Sequence, residues 1–263
     1  MGFHQQLRFP KFQLTLILLL LVFSTLLNFS VFTVTRIIIL SVLYTIGLDL
    51  LFNYFRKQTV YTPYAALVTG LIFGLTIHPY LPWYGIFLIS LIAMGTKHFL
   101  RFSNRHIFNP AAIGLVFGNI FLLSTVSWWG VSFQVLQLSW YNFFVFFILL
   151  LPLYVSCIRM KRCGSVCAFL FVYAALRFFL HTVSPITSLV DPTVLFFALV
   201  MLPEPMTSPV KKFRQILYGA FVAIASVVYF YLPFSRNLID AHLLPDGLLP
   251  FLLLGNLVFF KFR

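Results

Sequence analysis

The sequence is poor in charge, above all in acidic residues. Only 9% of its 263 residues are charged, and just five are aspartate or glutamate. By contrast, 61% are hydrophobic and 19% aromatic, and the mean hydropathy is +1.00. Because so few charges cannot cover a soluble surface, this composition excludes an ordinary soluble domain and predicts an all-α, polytopic membrane protein.

Motifs of soluble enzymes are missing as well. The chain has no Ser-His-Asp set, no glycine-rich phosphate loop and no paired carboxylates at catalytic spacing. Cysteine is scarce: Cys157, Cys163 and Cys167 surround one short loop, and no fourth ligand lies nearby in the sequence. We therefore expect three free thiols and no metal site.

Lysine and arginine dominate the few charges that are present and give a net charge of +13. A nucleic-acid-binding surface carries its cations as one stripe, whereas here they fall in small clusters between apolar runs. We therefore expect no nucleic-acid partner, and interpret the clusters as a topology signal. The positive-inside rule then places them, and both termini, in the cytoplasm of what we expect to be a bacterial cytoplasmic membrane. His98 and His106 flank one cluster, and we expect them to be unspecialised loop histidines.

Ten apolar segments emerge when the chain is divided by the length that crosses a bilayer, about 20 residues, or fewer where a helix is broken. The predicted segments are 12–28, 31–55, 65–77, 83–97, 109–123, 141–158, 164–180, 193–202, 213–232 and 247–260. Alternating their orientation places every lysine and arginine on one side except Arg36, Arg177 and Arg236. This partition supports the count of ten.

The third and eighth segments are the short ones, and we expect both to be broken helices. Each is entered through a proline step, Thr62-Pro63 or Asp191-Pro192, and left through a proline cluster. Five segments are an odd number, so a second set of five has the opposite orientation. The sequence therefore predicts inverted five-helix repeats at 1–124 and 141–263, with an outer linker at 125–140. The linker carries Trp128, Trp129 and Trp140, which predict an aromatic belt at the water interface.

Two joints place polar residues and prolines inside this apolar sequence. The first is 97–118, with Asn109-Pro110, and the second is 190–219, with Asp191 and Glu204. Such groups are costly in lipid unless they face protein or a cavity. We therefore predict that the two joints form the functional core, with the short segments meeting near the membrane midplane.

The polar residues of these joints have structural explanations as well as functional ones. Asn109 suits a helix N-cap and Pro110 a first helical position, but the amide also suits a ligand contact. Asp191 suits a cap that favours the helix dipole. Glu204 is either an ion or proton group or a solvated turn residue. Asp49 either reaches the interface, pairs with a cation of the next loop, or lies on an ion path.

Three short stretches resemble motifs of one known membrane-protein family. They read VTG at 68–70, IFNPAA at 107–112 and MTSP at 206–209. In this order they are similar to motifs of the RnfD-type membrane subunit of the Rnf electron-transport complex and of its counterpart in the sodium-pumping NADH:quinone oxidoreductase. The wider resemblance runs from about Tyr61 to Gly219.

The resemblance implies a membrane subunit that couples flavin-linked electron transfer to ion movement, with other membrane and peripheral subunits as partners. The residues assigned to cofactor binding are Thr69, Gly70, Asn109, Pro110, Thr207 and Ser208. Asp49, Asp191 and Glu204 are assigned to an ion path. Packing alone is the alternative for Thr69 and Gly70, since small residues also let a neighbouring backbone approach closely.

The sequence departs from the family at three places. Family members attach FMN to the threonine of a Ser-Gly-Ala-Thr motif in the outer loop, whereas this linker lacks the motif and has one threonine, Thr125. We therefore expect no covalent FMN, and expect any flavin, FMN or riboflavin, to bind non-covalently between the halves. The first joint reads RFSNRH where the family is rich in glycine, and Glu204-Pro205 stands in place of Asp-Pro. Alternative functions are a non-redox small-solute transporter or channel with a urea-channel-like repeat, flavin transport, and a purely structural role in assembly.

Overall fold

A computed structural model describes seven stretches of the chain. They are residues 9–58, 63–123, 125–132, 140–180, 189–240, 243–244 and 246–262. Within these stretches the fold is helical apart from one two-stranded hairpin and one isolated β-bridge. The expected all-α class is therefore confirmed.

The first half of the described chain consists of five helices and the hairpin. The helices are α1 (Pro10–Thr25), α2 (Val31–Phe55), α3 (Tyr64–Thr76), α4 (Trp83–Phe99) and α5 (Pro110–Leu122). The hairpin joins α4 to α5 and pairs β1 (Arg101–Phe102) with β2 (Arg105–His106) in antiparallel register. Its turn residues Ser103 and Asn104 both have positive φ, as a two-residue hairpin of type I′ requires.

The second half contains two helices that end in π-helical turns. Its helices are α6 (Trp140–Tyr154), α7 (Cys163–Phe179), α8 (Pro192–Phe196), α9 (Lys212–Tyr229), α10 (Pro233–Asp240) and α11 (Leu248–Phe259). The π-helical turn Val155–Arg159 follows α6, and the turn Phe197–Met201 follows α8. Each of the ten predicted segments thus contains a helix, and the short α10 is an addition that hydropathy did not indicate.

Side-chain caps and prolines set several of these helix starts. Asn109 accepts a hydrogen bond from the Ala112 amide at 3.1 Å and caps α5, with Pro110 in the first helical position. Asp191 accepts from the Thr193 amide at 2.9 Å and caps α8. The predicted N-cap roles of Asn109 and Asp191 are therefore confirmed.

Four of the helix packings in the first half have a counterpart in the second. In the first half α1 packs on α3, α2 on α3 and α4, and α4 on α5. In the second half α6 packs on α8, α7 on the π-helical turn of α8 and on α9, and α9 on α11. The halves meet where α1 packs on α6 and α5 packs on α11.

Close helix crossings depend on glycine in each half. A side chain at Gly219 of α9 would collide with the Ser165 carbonyl and the Phe169 amide of α7. A side chain at Gly70 of α3 would collide with α2 at Val42 and Thr45. Glycine is required at both crossings because only a residue without a side chain lets the backbones approach this closely.

The outer surface of the bundle is apolar, as expected for a protein in lipid. Phe32, Tyr54 and Phe171 are each at least 75% exposed, which is unusual for soluble proteins but normal against acyl chains. Among the described helices, Val31–Phe55 and the continuous stretch Trp140–Arg159 are long and apolar enough to cross a membrane. The remaining apolar helices are shorter.

The linker after α5 folds over the end of α3 instead of lying along an interface. Val126 bridges to Ile77, and the Gly130 amide donates to the Leu75 carbonyl at 2.9 Å. This contact turns Trp128 and Trp129 inward, and both are less than 10% exposed. The predicted interfacial belt is therefore wrong for these two tryptophans.

Candidate functional site

Asn109 is the point where the two predicted joints meet. Its Oδ1 caps α5, while its Nδ2 donates to the Met201 carbonyl at 2.9 Å, at the end of the π-helical turn after α8. Its backbone amide donates to Oδ1 of Asn256 in α11 at 2.8 Å. Asn256 in turn donates to the Tyr218 hydroxyl at 2.8 Å. Buried amides thus connect α5, α8, α9 and α11.

The π-helical turn Phe197–Met201 breaks the regular hydrogen bonding of the eighth segment. Two side chains from other elements bind its carbonyls: Ser156 donates to Leu199 at 2.6 Å, and Asn109 donates to Met201. Turns of this kind occur often at functional sites because they displace the backbone locally. The predicted break in the short eighth segment is therefore this π-helical turn.

Glu204 lies in the turn that follows, with its side chain 19% exposed. Its Oε1 is 3.0 Å from His106 Nε2, and its Oε2 accepts from the Thr207 hydroxyl at 3.3 Å. The Ser208 hydroxyl donates to the Glu204 carbonyl at 2.7 Å and accepts from Nε of Arg162 at 2.9 Å. Thr207 and Ser208 therefore shape the turn that presents the Glu204 carboxylate.

The protonation of Glu204 reflects two opposed effects. Burial raises the pKa of its carboxyl group, but the charge and hydrogen bond of His106, the Lys11 ammonium and the Thr207 hydroxyl together outweigh burial. The pKa of Glu204 therefore lies below the ordinary glutamate value, and the ionised form is favoured.

A second carboxylate cluster lies nearby, between α2 and α4. Asp49 Oδ1 is 2.6 Å from Lys97 Nζ and 2.7 Å from His98 Nε2, and all three side chains are largely buried. Lys11 interacts electrostatically with members of both clusters, namely Glu204, Lys97 and Asp49. We call the end of the bundle that holds Lys11, Asp49 and Glu204 the cation-rich end.

A cavity lies beside Lys11 and Glu204. Its volume is about 40 Å³, or about 460 Å³ when the open space around it is included. The smaller volume has room for a few water molecules. Its lining residues are Lys11, Leu14, Ala65, Val68, Thr69, Ile72, Asn109, Pro110, Ala111, Met160, Val200, Glu204 and Pro205.

The structure brings together some of the predicted site residues and separates others. Thr69, Asn109, Pro110 and Glu204 line the cavity. The remaining predicted residues lie outside the lining. Gly70 faces α2, Thr207 and Ser208 support the Glu204 turn, Asp49 lies in the neighbouring cluster, and Asp191 caps the other end of α8.

Two histidines contradict the expectation drawn from the sequence. His98 and His106 are 4% and 5% exposed, and each contacts a carboxylate from a distant part of the chain. They are therefore not ordinary loop histidines. Nothing in the local sequence distinguishes them, because their partners Asp49 and Glu204 lie 49 and 98 residues away.

Sequence reasoning also overlooked a half-buried acid at the opposite end of α5. Asp246 accepts hydrogen bonds from the Trp128 indole at 3.1 Å and from the Leu248 amide, at the start of α11, at 3.0 Å. Burial raises the pKa of its carboxyl group above the ordinary aspartate value, although these hydrogen bonds partly offset the effect. Asp246 and Asn119 line a second cavity of about 10 Å³.

A bundle of apolar helices, with a cavity that α3 and the turn after α8 line together with Lys11, Asn109 and Glu204, defines the class: a polytopic helical membrane protein with polar side chains in an internal site. Within that class, the chain belongs to the NQR2, RnfD, RnfE family, whose model matches residues 4–137, just over half of the 263 residues. A search of curated proteins found no match to the chain. Family membership makes the chain a membrane subunit of the Rnf/NQR type of electron-transport complex.

Proposed function

We propose that the chain is a subunit through which an Rnf/NQR-type complex couples flavin-linked electron transfer to ion translocation. The observation that carries the proposal is the cavity between the halves, where the Glu204 carboxylate, paired with His106, faces Lys11 and Asn109. A chain with such small loops has no room to bind NADH, so partner subunits deliver the electrons.

The proposal includes ten membrane segments in two inverted five-helix repeats. It is supported by four helix packings that occur in both halves and by the presence of a helix in each of the ten predicted segments. The cation-rich end is then the cytoplasmic end. On this topology the Glu204 cavity opens towards the cytoplasm, and the Asp246 cavity lies towards the outside.

In this proposal Glu204 is the group that receives the transported ion. Its ionised carboxylate attracts a small cation, and Thr69 and Asn109 line the same cavity. A neighbouring ammonium at Lys11 keeps the bound cation weakly held, which permits release. Asp49 is already paired with Lys97 and His98, and sets the field at the entrance. Asp191, which caps α8, belongs to the same proposed ion path.

A flavin, FMN or riboflavin, binds non-covalently in this scheme. At about 40 Å³ the cavity is too small to enclose a flavin ring, since ligand pockets measure about 300 Å³ or more, so in this scheme the ring lies in the open space beside it. The Thr125 hydroxyl is buried and lies 3.2 Å from Asn119 Oδ1, which supports the absence of covalent FMN. Acid denaturation of the purified chain tests this: flavin fluorescence that stays with the protein in a gel contradicts non-covalent binding.

Ion uptake tests the coupling role. We expect membrane vesicles with the assembled complex to take up sodium when an electron donor is added, and Glu204→Gln to lower the initial rate at least tenfold. Lys57→Met is the matched control, because Lys57 is exposed and away from the cavity. Unchanged uptake in Glu204→Gln vesicles, with normal amounts of the variant in the membrane, would refute the role of Glu204.

A second candidate is a small-solute transporter or channel without redox chemistry. The small volume of the cavity favours it, because 40 Å³ suits a few waters or one small solute. Liposomes containing the purified chain alone distinguish the two: solute flux without partners or electron donor supports the transporter. Donor-dependent sodium uptake by the complex supports the first proposal.

A further inference from the structure

All three cysteines of the chain meet where α6 turns into α7. Cys163 Sγ is 3.5 Å from Cys167 Sγ, and the Cys157 thiol interacts with Cys163. Cys163 and Cys167 are exposed, whereas Cys157 is half-buried. Cys163 is therefore the thiol that interacts with both others.

Local backbone structure explains why these residues converge. Cys157 lies in the π-helical turn Val155–Arg159, and Lys161, with a φ of 56°, reverses the chain before α7 begins. The Arg162 amide donates to the Ser156 carbonyl at 2.8 Å and closes this reversal. Cys163 is the first residue of α7, and Cys167 lies one turn further along the same face.

Other roles explain the cluster less well. Cysteines that serve only as packing residues are usually buried, but two of these thiols are exposed. Among the described residues no group of three or more His, Cys, Asp or Glu side chains has the arrangement of a metal site. The thiols do not line the Glu204 cavity, and the family match ends at residue 137, before any of them.

We propose that the three thiols form a thiol–disulfide exchange site in which Cys163 is the shared sulfur. The co-reactant is a soluble low-molecular-weight disulfide such as oxidised glutathione. The Cys163 thiolate attacks it, forms a mixed disulfide and releases one glutathione thiolate. Cys157 or Cys167 then attacks the Cys163 sulfur and releases the second glutathione. One protein S–S bond replaces two S–H bonds, and the two protons leave with the two glutathione thiols.

The geometry favours Cys163 as the shared sulfur over either neighbour. A disulfide needs about 2.05 Å between sulfurs, so the 3.5 Å contact with Cys167 must shorten. Cys163 begins α7, where the first turn lacks preceding helical hydrogen bonds and yields more readily than the interior. Its exposure also makes it accessible to a soluble disulfide.

Thiol counting on the purified chain tests the proposal. The reduced chain in mild detergent should carry three thiols that react with a polyethylene-glycol maleimide, and one after incubation with oxidised glutathione. Its intact mass should fall by two hydrogens, and a dithiol reductant should restore all three thiols. Three reactive thiols after incubation, or glutathione adducts without an internal disulfide, would overturn the proposal.

Single variants identify the shared sulfur. Cys157→Ser and Cys167→Ser should each still form one internal disulfide, whereas Cys163→Ser should form none. Peptide mapping of the oxidised wild-type chain gives a second readout that does not depend on how any variant folds, and should place Cys163 in the cross-linked peptide. A disulfide between Cys157 and Cys167 would contradict the assignment.

Discussion

Replacing Asp49 by asparagine should destabilise the helix bundle more than any loss of an exposed charge. One oxygen of Asp49, Oδ1, is 2.6 Å from Lys97 Nζ and 2.7 Å from His98 Nε2. The Asp49→Asn substitution keeps the size of the side chain and removes its charge. Lys97 then remains in a largely buried position, 14% exposed, without its carboxylate partner.

The magnitude follows from the desolvation of the remaining cation. Removing one partner of a buried ion pair costs about 3–5 kcal/mol, and the partial exposure of Lys97 favours the lower end. We therefore expect the free energy of unfolding to fall by about 3 kcal/mol, which is roughly a hundredfold change in the unfolding equilibrium. Lys57→Met is the control, because loss of an exposed surface charge changes stability by about 0.5 kcal/mol or less.

Unfolding in mixed micelles, titrated with a denaturing detergent and followed by circular dichroism, measures these differences. The double variant Asp49→Asn with Lys97→Met should be at least about 1 kcal/mol more stable than the sum of the single effects predicts. Coupling of this sign is expected because the second substitution removes the unpaired cation. Additive effects, or an Asp49→Asn variant as stable as the control, would show that the three side chains do not act as a unit.

Three further predictions use the same unfolding assay. Asn256→Leu should cost about 1–3 kcal/mol, because the Asn109 amide loses its buried acceptor; a cost below about 0.5 kcal/mol, the scale of surface changes, would contradict this. Gly219→Ala should lower the free energy of unfolding by about 1–3 kcal/mol through the clash with α7. Gly95→Ala is its control: Gly95 has open space around it, so this variant should be neutral or stabilising by up to about 1 kcal/mol. Equal effects of the two substitutions would exclude the clash. The pKa of Glu204 is lower in the folded than in the unfolded chain, so its contribution to the free energy of unfolding should be complete above the unfolded glutamate pKa, about 4.3. This contribution should be lost as the pH falls through the lowered folded value. Glu204→Gln should flatten that part of the dependence of stability on pH, and an unchanged dependence would contradict the assignment.

The helices could be predicted well because their signals are local. Each of the ten segments predicted from hydropathy contains a helix in the described part of the chain, and for 31–55 the predicted bounds coincide with α2. The proline steps and capping residues gave the starts of α5 and α8 within one residue. Such signals need no partner, since a cap or a proline acts on the backbone next to it.

Contacts between distant residues could not be predicted in this way. The pairing of His106 with Glu204 depends on how α5 and α8 approach each other, and no periodicity encodes that approach. The inward orientation of Trp128 has the same origin, because it follows from the bridge between the linker and the end of α3. The π-helical turns were missed since hydropathy does not distinguish them from α-helix.

Asn109 combines a local capping role with contacts to distant parts of the chain. A cap uses only the side-chain oxygen, which accepts from Ala112. The side-chain nitrogen and the backbone amide are then left to donate to Met201 and Asn256. The cap fixes the orientation of the amide, and the fixed amide in turn positions the second joint beside the cavity. For a buried asparagine at a helix start, the capping role is therefore the condition that makes the long-range contact possible.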